Sequence, residues 1–153
     1  MTKKFTIVLF SPDIPGNTGS IGRTCVALNF RLVLIKPLGF EITEKALRRA
    51  GLDYWKHVDL SVYENWADYL THEKVKEDKL IFFENNGQQS IYDYTFQGDE
   101  HLIFGSETKG LPESIYNQYH HQMLYLPMFS EHIRSLNLSN AVTAVSYLAI
   151  APN

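Results

Sequence analysis

The sequence predicts an α/β fold in which a mainly parallel sheet is flanked by helices, and three observations carry that expectation. Short runs of β-branched, aliphatic and aromatic residues alternate with segments of helical periodicity, the order that builds parallel sheets. Two of those runs, Phe5 to Phe10 and Lys79 to Phe83, read as buried strands. Polar, glycine-bearing segments follow several of them, and ligands of such sheets sit beyond the strand carboxyl ends.

Phe5 to Phe10 reads as a buried first strand, stopped by Pro12 and Pro15. Pro15 to Cys25, with Gly16, Gly19 and Gly22, reads as a loop feeding a helix through Val26, Ala27 and Leu28. Leu32 to Ile35 is a second strand, closed by Pro37 and Gly39. Thr43 can cap a helix running through Ala50, with Gly51 as its stop. A short strand near Val58 to Val62 and a helix from about Glu64 to Thr71 follow. Lys79 to Phe83 is another buried strand, after which Glu84 to Gln89 forms a polar loop. His101 to Phe104 runs directly into Gly105 to Pro112, and Pro112 suits the first turn of a short helix reaching about Tyr119. Met123 to Leu126 is the last strand, ended by Pro127.

The chain then turns through Arg134-Ser135-Leu136-Asn137-Leu138-Ser139-Asn140, where Ser and Asn side chains can cap backbone amides. A helix to Ala149 follows. Leu138, Ala141, Val142, Val145, Leu148 and Ala149 fall near helical spacing, and Ala144 lies on another side, so this helix is apolar around most of its circumference. It calls for cover on two sides: the sheet, and a second protein surface, most simply another copy of the chain.

At 153 residues the chain suits one domain spanning 1–153. Its 44% hydrophobic and 20% charged residues are ordinary for a soluble protein, and no apolar run approaches a membrane span. Met-Thr-Lys-Lys-Phe leads straight into a strand rather than reading as a signal peptide, so a cytoplasmic location is expected. Cys25 is the only cysteine, which excludes an internal disulfide and a Cys-based zinc site; it reads as a small buried side chain. His120, His121 and His132 lack metal-ligand spacing with a third ligand, and no metal is expected. A net charge of -3 argues against indiscriminate nucleic-acid binding and leaves room for a local basic patch.

The first glycine segment matches neither the G-x-G-x-x-G dinucleotide pattern nor a P-loop. Arg23 reads either as a phosphate clamp or catalytic-site cation, or as a surface arginine. Glu107, between Gly105 and Gly110, can orient a neighbouring backbone, accept from a ligand, or cap the helix that follows. The backbone of the third segment can read an adenine edge. Lys45 through His57 offers cations to phosphates and aromatic faces to bases, or else is a solvated helix face followed by a packed Trp55.

Together these segments resemble the three signature motifs of the SPOUT superfamily of RNA methyltransferases. Pro15-Gly16-Asn17-Thr18-Gly19 through Arg23 is similar to the first, Gly105, Glu107, Gly110, Leu111 and Pro112 to the second, and Ser135 through Ala141 to the third. Arg48-Arg49-Ala50-Gly51-Leu52-Asp53-Tyr54-Trp55 narrows the resemblance to the small single-domain tRNA (cytidine/uridine-34)-2′-O-methyltransferases. The resemblance implies a deep trefoil knot near the C-terminus and a homodimer. It further implies methyl transfer from S-adenosyl-L-methionine to the ribose 2′-hydroxyl of the wobble nucleotide, cytidine or modified uridine, in leucine tRNAs, leaving S-adenosyl-L-homocysteine.

Carried over by motif, Phe83, Gly105, Glu107, Leu126, Ser135 and Leu136 are the implied cofactor-binding residues. Arg23, Glu107, Asn137 and Asn140 are the implied catalytic residues, and Arg23, Arg48, Arg49 and Tyr147 the RNA-binding ones. Phe83-Glu84-Asn85-Asn86-Gly87 replaces a segment usually richer in Thr and Lys. A ribose hydroxyl is weakly acidic, so the site must help remove its proton; Arg23 is expected to hold the adjoining phosphate and stabilise developing alkoxide charge. The same motifs also serve 2′-O-methylation of ribosomal RNA, and a catalytically silent knotted RNA-binding dimer would keep the fold.

Overall fold

In the computed structural model, which describes residues 3–43 and 53–152, every paired strand runs parallel to its neighbour. The strands are β1 (Thr6–Phe10), β2 (Arg31–Ile35), β3 (Asp59–Tyr63), β4 (Leu80–Phe83), β5 (Gln89–Ser90), β6 (His101–Phe104) and β7 (Met123–Tyr125). They lie side by side in the order β3-β2-β1-β6-β4-β7-β5. The helices are α1 (Pro15–Leu28), α2 (Trp66–Glu73), α3 (Glu113–Tyr119) and α4 (Leu138–Ile150).

Alternation along the central strands splits their side chains between two cores. Ile7, Leu9, Leu34, Phe83 and Phe104 face Ile21 and Cys25 of α1 and Val142, Val145 and Ala149 of α4. Val8, Val33, Phe82 and Ile103 face Tyr69 of α2 and Ile115 and Tyr119 of α3. Each fully buried aliphatic side chain contributes roughly 1.5–3 kcal/mol relative to exposure, which is why apolar strands without polar alternation settle between two helical layers. The chain departs from β1 toward β2 on one side and later fills β6 on the other, so a crevice opens beyond the carboxyl ends of these strands.

The largest departure from the sequence reading is at Pro15 to Cys25, which is not a loop but most of α1. Pro15 occupies the first turn, where its fixed φ suits a helix and its missing amide costs nothing. Of the glycines that suggested a loop, Gly22 serves packing: a Cβ there would lie 2.5 Å from Cζ3 of Trp55, whereas one on Gly16 would meet nothing within 4 Å. Trp55 is half-buried against the core, so within the Lys45–His57 run its packed reading holds. Asn29, left-handed at φ 57, ends the helix.

Smaller shifts occur elsewhere. The third strand and the second helix each start later than anticipated, the helix because Asn65 caps the Asp68 amide at 2.8 Å. β5 arises at the end of a segment read as a polar loop, pairing with β7. Leu126 falls just past β7. The helix anticipated from Thr43 to Ala50, with Arg48 and Arg49, lies outside the described residues. In α4, Val142, Val145, Ser146 and Ala149 are buried, whereas Tyr147 is 53% and Leu148 37% exposed, so its second face is uncovered in the single chain. No helix among the described residues is long and apolar enough to cross a membrane.

Candidate active site

Three carboxyl-terminal strand ends point into one place. Phe83 closes β4 and is followed by Glu84 and Asn85; Phe104 closes β6 and leads into Gly105 to Gly110; Leu124 lies in β7 and is followed by Leu126 and Met128. With Ser135 to Leu138 and Ala141 from the turn into α4, and Ile14 and Asn17 from the start of α1, they wall a cavity of about 450 Å³. That volume lies within the range of small-molecule and cofactor sites.

The turn after β6 is held by its own backbone. Ser106 and Gly110 exchange amide-to-carbonyl hydrogen bonds at 3.2 and 3.0 Å, and the Ser106 hydroxyl accepts from the Lys109 amide at 3.0 Å. Gly110 adopts a left-handed φ of 68, which favours glycine. A Cβ on Gly105 would sit 2.2 Å from the Gly110 carbonyl carbon, so only glycine permits this fold-back. The segment after β4 is equally close to β7, because a Cβ on Gly87 would lie 2.6 Å from the carbonyl carbon of Leu124. Asn85 Nδ2 donates to the Arg134 carbonyl at 2.9 Å and ties that segment to the turn before α4.

A hydrogen-bonded chain joins the three motifs. α1 lacks a side-chain cap of its own at Ile14. Glu107 supplies acceptors instead, taking the Asp13 and Ile14 amides at 2.9 Å each and Asn17 Nδ2 at 3.1 Å. Asn137 Nδ2 donates to Asn17 Oδ1 at 3.1 Å. Asn137 Oδ1 accepts from the Ser139 and Asn140 amides at 3.0 and 3.3 Å and so caps α4. Of the readings open for Glu107, orientation of backbone is seen, on a distant segment, and capping of the helix after it is not: α3 has Pro112 at its cap and no side-chain cap bond.

All six expected cofactor-binding residues, Phe83, Gly105, Glu107, Leu126, Ser135 and Leu136, line this cavity. Of the expected catalytic residues, Glu107 and Asn137 do so, and Asn140 and Arg23 do not. Asn140 is exposed on the first turn of α4. Arg23 lies on α1, exposed, with its guanidinium 5.6 Å from the centre of the Tyr54 ring, a cation–π arrangement. The Tyr54 hydroxyl in turn donates to the Gly19 carbonyl at 2.9 Å. Tyr147 is further along α4, away from the cavity wall.

Sequence reasoning passed over Asn17 as an individual and treated Glu84 only as a departure. The signal for Asn17 was its place inside the first motif, and for Glu84 a carboxylate directly after an all-apolar strand. Burial raises the Glu84 carboxyl above the usual carboxylate range, opposed by a hydrogen bond from the Leu111 backbone. Cys25 is fully buried and its thiol is pushed up to about 12, which makes it inert at neutral pH. Among the described residues no three His, Cys, Asp or Glu side chains cluster as metal ligands.

A second polar group lies at the opposite, amino-terminal edge of the sheet. Arg31 donates to both Glu73 oxygens at 2.8 and 3.0 Å and holds that carboxyl down to about 2. His101, pushed down to about 4 by burial, shares a 2.5 Å hydrogen bond with the Tyr69 hydroxyl. These groups open β2 and β6 and lie far from the strand ends that carry the cavity.

The chain matches the SpoU rRNA Methylase family over residues 4–147. A Bacillus subtilis protein is 44% identical, covering 94% of this chain and 90% of its own length. A Burkholderia ambifaria protein named tRNA (cytidine(34)-2'-O)-methyltransferase is 37% identical, covering 95% of this chain and 93% of its own. A solved structure described as giving insights into the 2-OH methylation of C/U34 on tRNA superposes with a TM-score of 0.87 at 38% identity, over 97% of this chain and 95% of that one. The SpoU methyltransferase AviRb of Streptomyces viridochromogenes, solved with AdoMet, shares the fold at 22% identity and a TM-score of 0.78, over 98% of this chain and 58% of that one. With the family match covering nearly the whole sequence and relatives this similar along their full length, the chain belongs to the SpoU rRNA Methylase family.

Proposed function

We propose that this protein uses S-adenosyl-L-methionine to methylate the ribose 2′-hydroxyl of the wobble nucleotide, cytidine or modified uridine at position 34, in leucine tRNAs. It acts as a cytoplasmic homodimer of single-domain chains, 1–153, each with a deep trefoil knot near its C-terminus. One observation carries the reading: Gly105, Ser135 and Asn17, remote in sequence, wall a single cavity, and Glu107–Asn17–Asn137 hydrogen bonds hold those walls together. The names printed for the Burkholderia relative and for the C/U34 structure support the substrate class.

The cavity suits such a cofactor. Phe83, Leu126 and Leu138 offer apolar surface to an adenine ring, and the turn from Gly105 to Gly110 brings its backbone to the same cavity. When bound, the cofactor supplies a methyl group on a positively charged sulfur. Alignment and exclusion of water are the tasks left to Ser135, Leu136 and the turn after β6. Arg23 holds the phosphate beside the acceptor ribose and stabilises charge as the hydroxyl loses its proton to phosphate or water. Asn137 and Asn140 shape the site, and Arg48, Arg49 and Tyr147 engage the tRNA.

The test is methyl transfer from radiolabelled S-adenosyl-L-methionine to purified leucine tRNA, with nucleoside mass spectrometry to place the label. Label in 2′-O-methylated nucleotide 34 is expected. Label in ribosomal fragments alone would replace the substrate, and absence of S-adenosyl-L-methionine binding would indicate a silent RNA-binding module.

A further inference from the structure

Three charged side chains line the cavity, and they are not equivalent. Glu107 has both oxygens committed to Asp13, Ile14 and Asn17. Lys109 is exposed at the mouth. Glu84 is half-buried at the end of β4, and no cationic side chain among the described residues pairs with it. Its main chain is tied down by the Leu124 carbonyl and the Gly87 amide, and only the Leu111 backbone opposes the effect of burial on its carboxyl. Its Oε1 lies 3.4 Å from where a Cβ on Gly110 would be, so the glycine leaves the carboxylate uncrowded. A half-buried carboxylate without a counter-charge is costly unless the ligand provides the charge, and burial already raises its affinity for a proton.

We propose that Glu84 reads the positive charge on the amino-acid end of the cofactor, its carboxylate pairing with the ammonium or the sulfonium centre of S-adenosyl-L-methionine. This rests on the cofactor reading above. Glu84 is a specificity residue rather than a member of the methyl-transfer machinery: it favours charged cofactor over neutral adenosine thioethers.

The experiment is isothermal titration calorimetry of the full chain and of Glu84→Gln, with three probes. S-adenosyl-L-methionine carries ammonium and sulfonium, S-adenosyl-L-homocysteine only the ammonium, and 5′-deoxy-5′-methylthioadenosine neither. Glutamine keeps an acceptor for Leu111, and circular dichroism checks the fold. Glu84→Gln is expected to weaken S-adenosyl-L-methionine about tenfold and to leave methylthioadenosine within twofold. A matching loss for S-adenosyl-L-homocysteine assigns the ammonium, and an unchanged value assigns the sulfonium. Equal losses for all three probes, or no loss for any, would overturn the role. Should the variant not fold, the native chain decides: charge pairing makes S-adenosyl-L-methionine binding more salt-sensitive than methylthioadenosine binding, and equal sensitivity refutes it. Failure of the native protein to bind any probe would defeat the cofactor reading itself, whereas native binding untouched by the variant defeats only Glu84.

Discussion

Glu107 Oε2 accepts from the amide of Ile14 at 2.9 Å across 93 residues of chain. The same carboxylate takes the Asp13 amide and the Asn17 side chain, so it replaces the cap that α1 lacks and fixes that helix to the turn after β6. Glu107→Ala leaves these donors without an acceptor at a cost of about 1–3 kcal/mol, and the melting temperature should fall by several degrees. Cofactor affinity should fall with it, because Ile14 and Asn17 belong to the cavity wall. Thermal melts and calorimetry check both; an unchanged melt would show that the bond does not support the fold.

Gly105→Ala asks for a Cβ 2.2 Å from backbone of Gly110, which rotamer adjustment cannot relieve. The turn from Gly105 to Leu111 must move, and cofactor affinity should drop at least about tenfold while the sheet keeps its circular dichroism. Native affinity in this variant would mean that the turn does not form the cavity.

Arg23 is outside the cavity wall, so its removal separates chemistry from cofactor binding. Arg23→Ala should lower methylation of leucine tRNA by on the order of a hundredfold or more, with cofactor affinity within about twofold. Single-turnover transfer beside calorimetry measures both, and activity within a few-fold of native would remove Arg23 from the mechanism.

Acid should unfold the protein in two overlapping steps. His101 is held neutral, its pKa down to about 4 from 6.5, so the unfolded chain takes up the proton first and stability is lost as pH falls from 6.5 toward 4. The size of that loss is on the order of 3 kcal/mol at most. Glu73, held at about 2 by Arg31 against 4.5 ordinarily, adds a loss as pH falls from 4.5 toward 2. Melting temperatures between pH 7 and 4.5 should decline for the native protein and flatten for His101→Asn. A flat native profile would contradict the burial argument.

Leu148 leaves an apolar side of α4 exposed, and the proposed homodimer is the means of covering it, with Tyr147 left to the tRNA. Sedimentation at micromolar concentration should give a dimer, and Leu148→Glu should shift it toward monomer. A native monomer would end the dimer proposal.

The amino-acid sequence by itself determined the parallel α/β architecture, because apolar runs and helical periods are local patterns that each segment carries wherever it lies. It also marked a turn before α4 whose Ser and Asn side chains can cap, a part that Asn137 takes, and, through the resemblance, residues that meet at the cavity from β4, β6 and that turn. Only the tertiary structure decided that Pro15 to Cys25 is helical, with Gly22 serving contact with Trp55 and not a flexible turn. Tertiary structure alone likewise chose among the roles open to Glu107, joined Asn17 to Asn137, and left Glu84 without a counter-charge. The Glu107 and Asn17–Asn137 bonds join segments some 90 to 120 residues apart, and a pairing at that distance follows from how strands are ordered in the sheet, which no local pattern of residues encodes.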